Sequence, residues 1–410
     1  MRGARGGPHW DQDVKRYTLA VVTVGNLCAQ GALAVEPAPI KAGPVYIVPT
    51  VKAEARYVDN IFRSARDEKS SWVSDVRPRV QAWLKNGNNT YSLAYELADY
   101  RYFSSHDDDY TDHRVNLDIH HEFNARNTLN AYAEYFDAHE ERGTGLAEGG
   151  LAQLIDKPVE YEQWRWGGDY TYGSRSADGR LTVAYDYLDL DYQNFRDVTR
   201  YRDREQDTLK GTFFWKVAPR TDALVEVRYI DNEYDRINPA DPGGSYDSEE
   251  WNYFAGVEWQ ATAKTSGSVR LGWYDRSYDS RRRSDDDGFS WEVDVDYKPR
   301  SYSNFNFGTR RFSEETNGLG DAIDVEEYQI RWDHDWSGRS RTEVRSLWGD
   351  DDYTGYTRED ERWQLEAKYL YNVDRWFDIG GGYRYEDRDS DRPSFDYSRN
   401  VYFIEAELSL

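Results

Sequence analysis

Two acidic runs are the first candidates for chemistry, Asp107-Asp108-Asp109 and Asp285-Asp286-Asp287. Clustered carboxylates are the ligands a divalent cation takes, but neither run has the ligand spacing of a calcium loop. A solvated run of charge facing lipopolysaccharide is the plainer reading. His120-His121 could offer imidazole nitrogens to a metal. On a strand, however, adjacent side chains point to opposite faces, so the two rings cannot share one ion. There is no nucleophile motif and no assignable Ser/His pairing, so the chain does not read as an enzyme, and no cofactor is implied.

What remains is electrostatic. Charged residues alternate along many segments: Arg77 and Arg79, Arg114 and Asp118, Arg165 and Asp169, Lys210 and Lys216, Glu226 and Arg228. Further along stand Arg270 and Arg276, Glu292, Asp294 and Asp296, Arg331, Glu343 and Arg345, Glu366 and Lys368, and Arg384. An arginine fork binds carboxylate or phosphate in a bidentate way, so such rows could guide an anionic solute or polymer. The plainer reading is that they pair across neighbouring strands and solvate a polar interior.

The elements that carry these residues have a period of two. In the final stretch Tyr402, Ile404, Ala406, Leu408 and Leu410 share one face, while Phe403, Glu405, Glu407 and Ser409 share the other. That is a strand with one apolar face, and it needs a neighbour or it leaves an open edge. Val45 to Tyr57, with Val51, Ala53, Ala55 and Tyr57 on its apolar face, is the expected partner and would close a barrel. Between these two lie further segments of the same kind, separated alternately by short turns such as Asn86-Gly87-Asn88-Asn89 and by long polar loops. The count is about eighteen strands of roughly 11–14 residues, longer than the 5–6 usual in soluble proteins and long enough to span a bilayer.

Composition fits. Hydrophobic content is 38%, net charge is −24 and mean hydropathy is −0.95. Yet 34 Tyr, 15 Trp and 15 Phe are too many for a disordered tail. A barrel reconciles the two, because only alternate residues need be apolar and the loops can be charged. The acidic balance excludes nucleic acid, whose phosphates would be repelled. A soluble propeller or sandwich would share the alternation, but not the strand length or the loop asymmetry.

Residues 1–34 read as a signal peptide: Lys15 and Arg16 precede the apolar run Leu19 to Val24, and Ala32-Leu33-Ala34 fits a cleavage site. Residues 35–43 form an extended periplasmic leader and 44–410 the barrel. Cys28, the only cysteine, falls in the signal segment. The fold class is therefore all-β: a transmembrane antiparallel barrel of about eighteen strands, with short periplasmic turns and long acidic extracellular loops. It belongs in the bacterial outer membrane.

At Ala55-Arg56-Tyr57-Val58-Asp59-Asn60-Ile61-Phe62-Arg63 the sequence resembles the first strand and loop of the "putative beta-barrel porin 2" family. These outer-membrane barrels are associated with exopolysaccharide biosynthesis and export. The resemblance implies a passive conduit for a secreted polysaccharide, with no catalytic residues to carry over. Implied partners are outer-membrane lipid and lipopolysaccharide, an anionic polysaccharide, and envelope export machinery. Two other readings stand beside it: a general or solute-selective diffusion porin, and a sleeve that holds a partner such as an electron-transfer cytochrome.

Overall fold

The computed structural model describes residues 39–149, 152, 155–260 and 264–409. The signal segment 1–34 with Cys28, the first residues of the leader, and Leu410 lie outside the described residues. The described part of the leader is not a free extension. Its short strand β1 (Ile40–Ala42) folds back on the next strand, with Ile40 opposite Ile47.

The ring begins with β2 (Val45–Val58), β3 (Ser71–Asn86), β4 (Asn89–Tyr102), β5 (Tyr110–Asn124), β6 (Asn127–Glu140) and β7 (Val159–Tyr172). It continues with β8 (Gly179–Tyr192), β9 (Arg204–Ala218), β10 (Thr221–Tyr234), β11 (Ser248–Trp259), β12 (Thr265–Tyr278) and β13 (Asp286–Arg300). It ends with β14 (Ser303–Glu315), β15 (Ala322–Asp335), β16 (Ser340–Tyr353), β17 (Glu359–Asp374), β18 (Phe377–Ser390) and β19 (Tyr397–Ser409). Each strand pairs antiparallel with its chain neighbours, and β19 pairs with β2. The seam is the expected one: Ile404 faces Ala55 and Tyr402 faces Tyr57. These eighteen strands form a closed barrel.

Alternation decides which face goes where. Apolar residues such as Leu271, Trp273, Val225 and Ile404 are exposed on the convex face, where aromatic pairs such as Tyr229–Trp251 and Tyr328–Trp348 lie side by side across strands. Charged side chains occupy the concave face, where strands two or three apart converge. Arg228 of β10 reaches Glu292 of β13, and Tyr132 of β6 reaches Asp186 of β8. Such contacts across a skipped strand need the inside of a curve.

Short and long connections alternate. Two-residue turns at Gly87-Asn88, Ala125-Arg126, Pro219-Arg220 and Arg375-Trp376 mark one end; the long loops mark the other. Strand ends extend further than the sequence suggests. The polar stretch from Asp350 to Asp360 has the composition of a loop, yet β16 runs to Tyr353 and β17 starts at Glu359. In the polar stretch from Arg388 to Ser398, β18 likewise runs to Ser390 and β19 starts at Tyr397, and Phe305 and Phe307, a sparse apolar pair, lie on the full strand β14. Beyond the apolar band both faces are polar, so the hydropathy signal stops before the hydrogen-bonded ladder does.

Candidate functional site

The charged residues anticipated from sequence fall into pairs and chains on the concave face. One long chain of alternating charge runs through Arg331, which lies 2.8 Å from Asp333 and 3.9 Å from Glu343. Lys368 is 3.3 Å from Glu343 and 3.7 Å from Glu405. Lys52 continues it at 3.0 Å from Glu405, then Arg56 joins Glu54 to Asp75, and Arg77 closes on Asp75 at 2.7 Å. Arg345 hangs on Glu343 at 3.7 Å. Lys368 and Glu405 meet across β18 because that strand is glycine there. A Cβ at Gly382 would come within 2.8 Å of the Lys368 Cβ, and one at Gly380 within 3.2 Å of the Glu405 side chain.

A second cluster lies on the far wall. Arg228 binds Glu226 at 2.8 Å and Glu292 at 3.1 Å, and Arg270 sits 3.6 Å and 4.0 Å from the same two carboxylates. Lys210 stands opposite Arg228 in the ladder. The remaining anticipated residues are paired locally. Arg79 meets Glu96 at 3.7 Å, Arg114 meets Glu134 at 2.9 Å, and Arg384 meets Glu366 at 2.7 Å. Asp118 accepts from Ser92, Asp169 from Asn130, and Asp294 from Asn306. Arg165 lies opposite Glu134 in register.

Sequence reasoning missed a layer at the long-loop end, where the interior is filled by residues of the loops themselves. The loop between β6 and β7 turns inward at Gly143, whose φ of +88° and contact with the Phe62 carbonyl leave no room for a side chain. Arg142 lies over the Phe62 ring, 3.9 Å from its centroid, and holds Asp108 at 2.5 Å. Asp108 is thus buried in an ion pair and is not part of a solvated run, correcting the expectation for that acidic stretch. Glu141 accepts from Arg63 at 2.7 Å and lies 3.6 Å from Arg399. Glu148 reaches the opposite side, where Arg358 (2.9 Å), Arg388 (3.1 Å) and Asn317 (2.9 Å) all donate to it.

The electrostatics of this layer are mutual. Burial alone would lower the Arg63 guanidinium, but Glu141 and Glu386 outweigh it and hold the group well above its ordinary value. Burial acts on Arg358 in the same way and is outweighed by Asp360 and Glu148. Buried charges of this kind persist only when paired and hydrogen-bonded.

The stretch Asp59-Asn60-Ile61-Phe62 has a physical role here. Asp59 takes two hydrogen bonds from Asn400, both at 2.7 Å, and Asn60 donates to Ser64 and Ser398 backbone oxygens. The pair ties the end of β2 to the start of β19. Ile61 and Phe62 join Val58, Val73, Tyr100 and Phe403 in a small apolar core beneath the loops. The two histidines have separate partners, Asn130 for His120 and Tyr91 for His121.

A cavity of about 170 Å³ opens within the layer, bounded by Arg63 and Tyr100 on one side, Glu141 of the inward loop, Arg202 and Glu315 across from them, and Arg388. These residues come from all round the ring. At this level the interior is therefore narrow, with cations and carboxylates facing one another.

The family profile described as "Putative beta-barrel porin 2" matches residues 34–410. No curated protein sequence matches the chain. Among solved structures, the chain is similar to the outer membrane protein opdK from Pseudomonas aeruginosa, at 10% identity, over 89% of this chain and 99% of that one, with a TM-score of 0.44. OccK3 (OpdO) from the same organism is similar at 15% identity, over 89% and 95%, with a TM-score of 0.45. OccK9 (OpdG), also from Pseudomonas aeruginosa, is similar at 13% identity, over 89% and 98%, with a TM-score of 0.47.

Proposed function

The chain belongs to the putative beta-barrel porin 2 family and is an integral β-barrel porin of the outer membrane, and from that premise we propose that it is a diffusion channel for small hydrophilic solutes, narrowed at its extracellular end. One observation carries this reading. Glu148, on the loop between β6 and β7, crosses the interior to meet Arg358 and Arg388. A carboxylate held by two buried guanidiniums is costly to pull away, since breaking such a pair leaves uncompensated charge. A channel built to this plan sorts solutes by size and by charge at the crossing. The charged chains below it, from Arg331 to Arg77 and around Arg228, form the wetted wall of the passage, together with Arg79, Arg114, Arg165 and Lys210.

A second reading, passage of an exopolysaccharide, is supported by the family resemblance at Asp59-Asn60-Ile61-Phe62. It requires the loop layer to swing aside for each polymer. Single-channel recording of the refolded chain, residues 35–410, in a planar bilayer separates the two. Steady steps indifferent to an acidic polysaccharide support the solute channel. Block from one side by that polymer supports export. Failure to insert at all would overturn both.

A further inference from the structure

The buried arginines of the loop layer are held by carboxylates. Arg63 has Glu141 at 2.7 Å, Arg362 has Asp351 at 2.7 Å and Arg388 has Glu148 at 3.1 Å. Arg202 differs. It is only 7% exposed, its Nη1 has no hydrogen-bond partner, and among the described residues no carboxylate lies within ion-pair distance of it. Its guanidinium rests on the Tyr246 ring, 4.5 Å from the centroid. Arg283 stacks on the same ring at 3.4 Å, yet Arg283 is bound by Asp241 and Asp321. Guanidinium stays charged at any accessible pH, and a buried charge without a counter-charge is expensive.

The neighbourhood offers a second unmet group. Asn317 Nδ2 donates to Glu148 and to the Tyr353 hydroxyl, which fixes the amide orientation and leaves Oδ1 buried without a donor. Next to it, Gly318, whose φ of +117° suits glycine, has both Arg202 Nη2 and Leu146 Cδ2 3.4 Å from where a Cβ would stand, which places these two side chains beside each other. Arg202 and Asn317 both line the cavity of about 170 Å³.

We propose that Arg202 and Asn317 form a binding site for a small carboxylate that also carries hydroxyl groups, such as a sugar acid. The carboxylate neutralises Arg202 through the guanidinium fork, and a hydroxyl donates to Asn317 Oδ1. The inference rests on the solute-channel reading for its purpose, but its test is independent of conduction.

Calorimetry on the full-length chain in detergent measures binding of glucuronate, glucose and propionate, and bilayer recording in potassium chloride measures conduction. Glucuronate is expected to bind roughly 10- to 100-fold more tightly than glucose, which lacks the charge, and more tightly than propionate, which lacks the hydroxyls. Arg202→Gln should abolish that preference. Leu146→Glu, which supplies a built-in partner while leaving Arg202 in place, should abolish it too. Arg101→Gln, on the convex face, should leave it intact. Binding that Arg202→Gln and Leu146→Glu do not weaken, or glucose binding equal to glucuronate, overturns the site. Arg202-dependent binding without any conductance keeps the site and sinks the channel reading.

Discussion

Glu148 and Arg358, 210 positions apart in the chain, meet at 2.9 Å inside the extracellular end of the barrel. The contact spans from the loop after β6 to the loop before β17, and Arg388 of β18 shares the same carboxylate. Neither loop has a periodic sequence, so the pair of charges fixes where the inward loop comes to rest.

Removing that carboxylate should release the loop. Glu148→Gln is expected to cost the local structure about 3–5 kcal/mol, the usual penalty for breaking a buried pair. Amide protection across residues 141–149 should fall and single-channel conductance should rise. Unchanged protection and unchanged conductance would show that other contacts hold the crossing.

Acid should loosen the loop between β10 and β11. Burial alone would raise the Asp241 carboxyl, but the Gly243 backbone N–H at 2.7 Å and the Arg283 guanidinium outweigh it and hold the group below its ordinary value. The unfolded loop then binds the proton more readily than the folded one. The contribution of Asp241 is complete above an ordinary carboxyl value of about 4 and is lost as pH falls through the lower folded value. Protease cleavage within residues 235–247 should therefore increase below about pH 4, and Asp241→Asn should be cleaved readily at every pH. A variant that matches the wild type at neutral pH contradicts the assignment.

Ion selectivity should respond to Arg228. With Arg228→Gln, Glu226 and Glu292 keep Arg270 at 3.6 Å and 4.0 Å, and Thr212 still donates to Glu226, but one of the cations that held them is gone. The reversal potential in a potassium chloride gradient should move toward cation preference, and Glu292→Gln should move it the other way. If neither shifts, ions do not pass this cluster.

The convex face should reject charge. Leu271 is 49% exposed there, near the middle of β12. Leu271→Arg is expected to destabilise the barrel in lipid by about 2–4 kcal/mol, read as a lower denaturant midpoint in liposomes. A midpoint equal to the wild type would place Leu271 away from the hydrocarbon.

The barrel was legible in the sequence because lipid outside and charge inside force a period of two. Tyr402, Ile404 and Ala406 give the phase of β19, and Val51, Ala53 and Ala55 give that of β2. The same alternation marks which charges share the concave face, Glu343 and Lys368 among them, but the pairing of those two is visible only in the structure. The loop layer was not legible in this way. Glu148 is one acidic residue in a Gly-rich loop, and its partners lie in other loops and strand ends. A signal was present in Arg384, Glu386, Arg388 and Ser390, which keep the inner phase past the apolar band. It was hidden because the outer positions Asp387 and Asp389 are also polar. The stretch Asp59-Asn60 read as a family mark, and only coordinates show it as the tie to Asn400 and Ser398.

That tie joins positions 341 residues apart, which has a consequence for biogenesis. The ring closes only after β19 has been synthesised and has found β2. Every shorter intermediate carries two raw sheet edges, each a template for pairing with another chain. Contacts this remote in sequence form slowly, because loop-closure entropy must be overcome before they reward the chain. Until then both edges have to be kept from other chains. The enclosed passage exists only once the seam between β19 and β2 has formed.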